Sequence, residues 1–144
     1  YAAFLKSYPE VSFVKDQTYN LLALATAALV TSGTATLETA LFEVPEVVCY
    51  KGSSVSYEIA KRLVKIKYIS LVNLIMDRLV VKELIQNDLT VENVTTELQN
   101  ILHDEETIRR IKNDYAELKN LLQKESKASA RAAQEIIGFL QTNV

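Results

Sequence analysis

Hydrophobic and polar positions in the first half of the chain alternate between short apolar runs and helical periodicity. Strand-length apolar runs occupy residues 11–14, 27–30 and 46–50. Apolar residues recur at helical spacing over 16–25, with Asp16 as the predicted N-cap, and over 35–42, where the helix must stop before Pro45. The order strand, helix, strand, helix, strand predicts an α/β domain with a parallel sheet and right-handed crossovers.

The second half of the chain has the pattern of a helical region. The segment "SYEIAKRLVKI" at 56–66 predicts an amphipathic helix, and 68–75 predicts a strand that ends in a loop carrying Asn73. Further helices are predicted at 78–86, 90–102, 104–124 and 129–141. Thr90 precedes the second of these helices and is its expected N-cap.

Composition and charge narrow the class of protein. The 144 residues suit one domain, and the net charge of −2 argues against a dedicated nucleic-acid binder. Cys49 is the only cysteine, so no internal disulfide can form and a reducing compartment is favoured. The flanking apolar residues predict a small buried side chain at Cys49 and not a nucleophile.

Targeting and metal-binding signals are weak in this sequence. It contains no run of about 18 apolar residues and no basic-then-apolar leader, so a soluble or peripheral protein is expected. The first residue is Tyr1, which suggests a piece excised from a longer chain. His103 is the single histidine and has no second histidine or cysteine nearby, so we expect no metal site there.

The turn "TSGT" at 31–34 is the strongest candidate for chemistry. A strand that ends in Ser32, Gly33 and Thr34 and passes directly into a helix points several backbone N–H groups at one spot. This spot lies at the positive end of the helix dipole. Gly33 permits close approach of a ligand, and the two hydroxyls can donate to phosphate oxygens. The same hydroxyls suit N-capping, so a capped helix in an ordinary βα unit is an equally good interpretation.

Glu38 favours the ligand site over the capped helix. It follows Thr34 by four residues, so the helical period places it on the same side as the turn and one turn further along. A carboxylate there is suited to accept hydrogen bonds from ribose hydroxyls. The pattern therefore predicts a nucleotide-diphosphate pocket at the carboxyl ends of the strands.

Three segments carry a family resemblance: "SGTATLETALFEVPEVVCYK", "AKRLVKIKYISLVNLIMDR" and "VVKELIQNDLT". Together they resemble the C-terminal half of the lipid-A-disaccharide synthase family, over nearly the whole chain. The resemblance implies a partial Rossmann-like domain of a GT-B glycosyltransferase, with a helical C-terminal region. It implies an inverting enzyme that joins UDP-2,3-diacylglucosamine to 2,3-diacylglucosamine 1-phosphate, releasing UDP.

The resemblance also implies residue roles. Ser32, Gly33 and Thr34 would lie at the UDP diphosphate and Glu38 at the ribose. Asn73, Glu83 and Gln86 match family positions, and we expect them to line the cleft near the nucleotide sugar. No catalytic residue is expected in this chain, because the general base belongs to an N-terminal domain that the sequence lacks. The chain alone should therefore be inactive.

Organisation, partners and location are further expectations from the resemblance. Residues 1–103 would form the nucleotide-sugar-binding portion, and 104–144 would be helices packing on it or on a partner chain. A homodimer with exchanged C-terminal parts is expected, cytoplasmic and peripheral to the inner membrane of a Gram-negative bacterium. Neither a cofactor nor a metal ion is expected, because a helix terminus would stabilise the charge of the departing UDP.

Alternatives remain open at the level of sequence. A related GT-B enzyme using another UDP-sugar, such as an N-acetylglucosamine transferase or epimerase, would share the turn and Glu38. A non-enzymatic α/β interaction module would use the turn only as a helix cap. The basic helix at 56–66 fits either a membrane surface or an ordinary solvated face, and Arg131 fits either a cleft or a surface.

Overall fold

The computed structural model describes residues 2–52, 67–124 and 128–142. Its helices are α1 Ala2–Ser7, α2 Thr18–Leu24, α3 Thr34–Leu41, α4 Leu71–Met76, α5 Val91–His103, α6 Glu105–Lys124 and α7 Ala128–Thr142. Its strands are β1 Ala28–Thr31, β2 Glu46–Tyr50 and β3 Lys82–Ile85, and a 3₁₀ turn covers Gln86–Asp88. The predicted helix at 56–66 lies outside the described residues.

The three strands form one parallel sheet in the order β1-β2-β3. Val48 of β2 is in register with Val30 of β1 and with Glu83 of β3. The side chains of Val47 and Val48 are fully buried, although they point to opposite faces of the strand, because β2 is central and covered on both faces. Leu29 on β1 is 48% exposed, as suits a strand with no second neighbour among the described residues.

Helices pack onto this sheet and onto one another. Helix α3 contacts β1 and β2, α5 contacts β2 and β3, and α6 contacts α3, α4 and α5. Ile111, Tyr115 and Leu118 of α6 are buried in the same core cluster as Val47 and Val48. The predicted α/β fold with a parallel sheet and a helical C-terminal region is confirmed, and α6 shares the core of the sheet.

Ion pairs and hydrogen bonds join the loop between α4 and β3 to helix α6. Arg78 Nη2 lies 2.7 Å from Asp114 Oδ1 and 2.6 Å from Glu117 Oε2. Arg110 Nη1 donates to the carbonyl oxygen of Val80 at 3.2 Å. This loop is therefore held against α6 just before the chain enters β3.

Two helix ends follow from their sequences as expected. Thr90 caps α5, since its Oγ1 accepts a hydrogen bond from Asn93 N at 3.1 Å. Helix α3 stops before Pro45 with Glu43 in the left-handed region at φ 61°. Val44 N then donates to Thr39 O at 3.2 Å, which satisfies a terminal carbonyl of the helix.

The predicted strand at 11–14 is wrong, because these residues form no regular element. The side chains of Val11, Phe13 and Val14 are exposed. An apolar run of high β propensity forms a strand only where a neighbouring strand pairs with it. The cap expected at Asp16 is also wrong: Asp16 has φ 58°, and α2 begins at Thr18 with no side-chain cap at Gln17.

The secondary structure of two further segments differs from the prediction. Residues 71–76 are helical, with Ser70 Oγ accepting a hydrogen bond from Asn73 N at 3.2 Å as a cap, where a strand and loop were expected. The expected helix at 78–86 instead contains strand β3, whose residues pair with β2. Short apolar runs are ambiguous between strand and helix, and here pairing with the central strand decides.

Candidate functional site

The turn at the carboxyl end of β1 leaves the amino end of α3 uncapped. Gly33 is the N-cap residue, and no side chain within the described residues makes a capping hydrogen bond there. Gly33 has φ 147°, a conformation that residues with a Cβ rarely adopt, and a Cβ added to it would meet no atom of the described residues within 4 Å. Gly33 and Thr34 are both exposed. The alternative of a side-chain-capped helix is therefore not what forms. The amide of Thr36 donates to the carbonyl oxygen of Gly33 at 3.3 Å, and Gly33, Thr34 and Ala35 at the start of the helix are exposed.

The hydroxyl of Ser32 is directed at a neighbouring loop. Ser32 Oγ donates to the carbonyl oxygen of Ile69 at 3.0 Å. A serine hydroxyl has one hydrogen, so this bond uses its only donor. In this arrangement the turn offers a ligand its backbone amides and the Thr34 hydroxyl, while Ser32 fastens the turn to the loop before α4.

Glu38 lies on the second turn of α3 and borders a surface depression of about 400 Å³. The other residues around the depression come from the start of α2: Asp16, Gln17, Thr18, Tyr19 and Asn20. The Tyr19 ring stacks on Phe42 at the end of α3, with ring centroids 5.5 Å apart and an interplanar angle of 14°. This contact joins α2 to α3 beside the depression. Two carboxylates, of Asp16 and Glu38, and two amide side chains, of Gln17 and Asn20, border it.

Asn73 is buried and its side-chain amide is fully hydrogen-bonded by the protein. Its Nδ2 donates to Val81 O and to Glu83 Oε1, each at 2.8 Å. Its Oδ1 accepts from Val80 N at 2.8 Å and from Val81 N at 3.0 Å. These four bonds use the full capacity of the amide. Asn73 thus holds the loop that leads into β3.

Glu83 lies on β3 with its carboxylate at the amino end of α4. It accepts from Ile69 N at 3.0 and 3.2 Å and from Ser70 N at 2.9 Å, in addition to the bond from Asn73. These amides precede a helix, where a negative charge is favourable. The structure therefore brings Ser32, Asn73 and Glu83 together around the loop at residues 67–70.

Gln86 follows β3 at the carboxyl edge of the sheet. Its backbone has φ 53°, which is unfavourable for a residue with a Cβ. Its Nε2 is buried and has no hydrogen-bond partner within the described residues. Backbone strain and an unpaired buried donor each call for a physical explanation, and together they make Gln86 a candidate for a functional role.

Sequence reasoning missed a buried carboxylic acid at the opposite end of the sheet. Glu46 is the first residue of β2, it is fully buried, and neither carboxyl oxygen has a partner within the described residues. Burial raises the pKa of Glu46 to about 9, so this residue is neutral at pH 7. The signal was available, since Glu46 interrupts the apolar run "VPEVVCY" that predicts a buried strand.

Tyr115 of α6 is the second buried polar residue in that region. Its side chain is fully buried, and no side chain within the described residues is hydrogen-bonded to its hydroxyl. Burial raises the pKa of Tyr115, and the charge that Glu46 would carry raises it further. Both residues lie at the amino end of the sheet, away from the turn at Gly33.

The surroundings of Cys49 do not favour a reactive thiol. Cys49 is partly buried, and desolvation raises the pKa of its thiol, which disfavours a reactive thiolate. The described residues contain no cluster of three metal-ligating side chains, and none of the described helices could span a membrane. The side chain of Arg131 lies outside the described part of the molecule.

Comparison with known proteins gives consistent relatives over almost the whole chain. The model of the family described as lipid-A-disaccharide synthetase matches residues 5–137. Lipid-A-disaccharide synthase of Actinobacillus pleuropneumoniae serotype 5b (strain L20) is 41% identical over 141 residues, which are 94% of this chain and 35% of the relative. The protein of the same name from Psychromonas ingrahamii is 43% identical over 120 residues, which are 83% of this chain and 30% of the relative.

A third relative agrees with these two. Lipid-A-disaccharide synthase of Syntrophus aciditrophicus (strain SB) is 39% identical over 114 residues, which are 79% of this chain and 30% of the relative. The chain thus spans about a third of the length of the curated relatives that it matches. On the family match and these identities, the chain belongs to the lipid-A-disaccharide synthetase family.

Proposed function

We propose that this chain is the UDP-sugar-binding part of a lipid-A-disaccharide synthase, the name that its relatives carry. The proposed reaction transfers diacylglucosamine from UDP-2,3-diacylglucosamine to 2,3-diacylglucosamine 1-phosphate. The products are lipid A disaccharide and UDP, with inversion at the anomeric carbon. Because the chain spans about a third of its relatives, we propose the reaction for the complete enzyme and nucleotide binding for this chain.

The uncapped amino end of α3 is the observation that supports this proposal. No side-chain cap from the described residues competes with a ligand there, and Gly33, Thr34 and Ala35 at the start of the helix are exposed. Such a terminus favours an anion through both its N–H groups and the helix dipole. We therefore propose that the turn of Ser32, Gly33 and Thr34 binds the diphosphate of UDP.

The depression beside Glu38 supports a nucleoside next to that diphosphate. Glu38 lies one helical turn beyond Thr34, so its carboxylate can accept hydrogen bonds from ribose hydroxyls. Gln17 and Asn20 border the same depression and carry amide groups that both donate and accept. We propose that the ribose lies at Glu38 and that the base extends toward the start of α2.

The proposed mechanism is a direct displacement. The acceptor hydroxyl attacks the anomeric carbon while UDP departs, and the charge that develops on UDP is stabilised by the amides of the turn. Gln86 lies at the same edge of the sheet, and its Nε2 is buried and unpaired among the described residues. We propose that the Gln86 side chain turns toward the nucleotide sugar when it binds and donates to it from Nε2. The general base would belong to a part of the enzyme outside this chain.

A UDP titration by calorimetry, with ADP as the control nucleotide, tests the proposal on this chain. We expect saturable binding of UDP in preference to ADP. Glu38→Ala should weaken UDP binding by about 1–3 kcal/mol, because the ribose hydroxyls lose their acceptor. Glu97→Ala is the matched control, since Glu97 is a partly exposed helical glutamate on α5, and it should leave UDP affinity unchanged.

Absence of UDP binding by a folded sample would contradict the proposed site. Equal affinity for ADP would instead show a general diphosphate site without a uridine pocket. Equal weakening by Glu38→Ala and Glu97→Ala would remove the assignment of Glu38 to the ribose.

We further propose that the enzyme is a homodimer that works at the cytoplasmic face of the inner membrane, where lipid substrates are accessible. Ile136, Ile137 and Leu140 of α7 are each more than half exposed, which supports an apolar contact surface on that helix. Light scattering on the chain should give twice the monomer mass. A monomer mass at high concentration would contradict the dimer.

A further inference from the structure

One backbone residue links the turn after β1 to strand β3. The carbonyl oxygen of Ile69 accepts from Ser32 Oγ at 3.0 Å, and the amide of the same residue donates to Glu83 Oε2 at 3.0 Å. The side chains of Ser32 and Glu83 therefore fasten Ile69 from opposite sides. A shift of either side chain moves the peptide groups that the other one holds.

The Glu83 carboxylate already fills the amino end of α4. It accepts hydrogen bonds from the amides of Ile69 and Ser70 and from Asn73 Nδ2. A bound anion would have to displace this carboxylate and would meet its negative charge. The amino end of α3, which carries no side-chain cap from the described residues, has no such internal anion. An external diphosphate would therefore meet a carboxylate at the amino end of α4 but not at that of α3.

We propose that Glu83 is a positioning residue: through Ile69 it sets the place of the Ser32 hydroxyl and so the geometry of the turn that receives the diphosphate. This inference rests on the proposed function of the turn. Glu83 makes no contact with UDP in this arrangement, because its carboxylate faces three donors of the protein. It acts on UDP only by holding the loop at residues 67–70.

Glu83→Gln tests this role with little change in volume. The substitution replaces one acceptor oxygen by an NH₂ group, which would face N–H donors, so at least one of the bonds to Ile69, Ser70 or Asn73 is lost. The loop should shift and release Ser32. Glu97→Gln is the matched control, because Glu97 is also a partly buried glutamate, with its carboxylate 3.8 Å from Lys82 Nζ of β3.

The experiment compares UDP affinity and amide resonances in the wild-type chain, Glu83→Gln, Ser32→Ala and the double variant. We expect Glu83→Gln to weaken UDP binding roughly tenfold and to shift the amide resonances of Ser32, Gly33 and Thr34 in the unliganded chain. Because both side chains act through Ile69, Ser32→Ala should cost less affinity in the Glu83→Gln background than in wild type. Glu97→Gln should change none of these readouts.

Two outcomes would overturn the inference while the proposed function stands. One is UDP binding by Glu83→Gln with wild-type affinity. The other is strictly additive losses for Glu83→Gln and Ser32→Ala. If wild type itself fails to bind UDP, the proposed function fails, and the resonances of residues 32–34 in the unliganded variants still decide whether Glu83 positions the turn.

A second variant keeps the inference testable if Glu83→Gln does not fold. Should Glu83→Gln fail to fold, Ser32→Ala removes the link from its other end at an exposed turn. It should then shift the amide resonances of Ile69 and Ser70, and unchanged resonances there would overturn the inference.

Discussion

Asn73 and Val81 exchange hydrogen bonds in both directions across the loop between α4 and β3. Asn73 Nδ2 donates to Val81 O at 2.8 Å, and Val81 N donates to Asn73 Oδ1 at 3.0 Å. The side chain thus pairs with the backbone as a neighbouring strand would. It satisfies buried backbone groups at the point where the chain enters β3.

Removing this amide should destabilise the fold strongly. Asn73→Ala removes the side-chain partners of the amide and the carbonyl of Val81 in the interior, and it leaves the amide of Val80 with only its 3.1 Å bond to Arg78 O. We expect a loss of roughly 2–4 kcal/mol in the free energy of unfolding, measured by urea denaturation. Asn120→Ala, at an exposed position of α6, is the control and should change stability by less than about 0.5 kcal/mol. A small effect of Asn73→Ala would contradict a structural role for this amide.

Glu46 should make stability fall as pH rises. Burial raises its pKa from 4.5 to about 9, so the folded protein binds a proton that the unfolded chain releases. The stabilising contribution is complete below pH 4.5 and is lost progressively up to about pH 9. The free energy of unfolding should fall by about 1.4 kcal/mol per pH unit in that window.

Glu46→Gln isolates this dependence because glutamine has nearly the same size and does not ionise. Urea midpoints for the variant and wild type at pH 5, 7 and 8.5 should diverge in favour of the variant as pH rises. By pH 7 the difference should have grown by roughly 3 kcal/mol relative to pH 4.5. Parallel pH profiles would show that Glu46 is not neutral in the folded state. Glu10→Gln, at an exposed position, should leave the profile unchanged.

Tyr115 is expected to stabilise the fold through its ring and not through its hydroxyl. No side chain among the described residues is hydrogen-bonded to the buried hydroxyl, so Tyr115→Phe should be neutral or stabilise by up to about 1 kcal/mol at pH 7. Tyr115→Ala should cost about 3–5 kcal/mol, since it empties a fully buried site. Thermal unfolding of both variants checks the prediction. A loss above about 1 kcal/mol for Tyr115→Phe would show that the hydroxyl is hydrogen-bonded.

Two substitutions of Gln86 should separate the effect of its strained backbone on stability from the effect of its side chain on binding. Its backbone is left-handed at φ 53°, so Gln86→Gly should be more stable than Gln86→Ala by about 1 kcal/mol. Both variants lose the Nε2 donor and should weaken binding of the nucleotide sugar to the same extent. Equal stability of the two variants would show that the backbone carries no strain, and unchanged affinity would remove Gln86 from the proposed site.

The sequence predicted the elements whose local signals agree with their surroundings. β2 was predicted correctly, because five consecutive residues with an apolar middle suit a strand buried on both faces. The turn at Gly33 and the cap at Thr90 were found from residues that act on their own neighbours in the chain. Local chemistry was sufficient at these positions.

The wrong predictions concern segments whose structure depends on distant partners. The residues of β3 carry an apolar pattern that suits a helix equally well, and only pairing with β2 decides in favour of a strand. Residues 11–14 have the composition of a strand, yet no strand pairs with them among the described residues. The amino end of helix α4 is capped by the hydroxyl of Ser70, and the amide of Ser70 donates to the carboxylate of Glu83, 13 residues further along the chain.

The sequence by itself determined the α/β class, the family and the turn with Glu38, since these depend on residue types at short, regular spacings. Only the tertiary structure decided what those residues contact. The hydroxyl of Ser32 donates to the carbonyl of Ile69, and the side chains of Asn73 and Glu83 bind protein backbone. The carboxyl group of Glu46 is buried without a hydrogen-bond partner among the described residues. The physical reason is that a hydrogen bond or a buried charge depends on atoms that folding brings together from distant segments, and no local spacing specifies them.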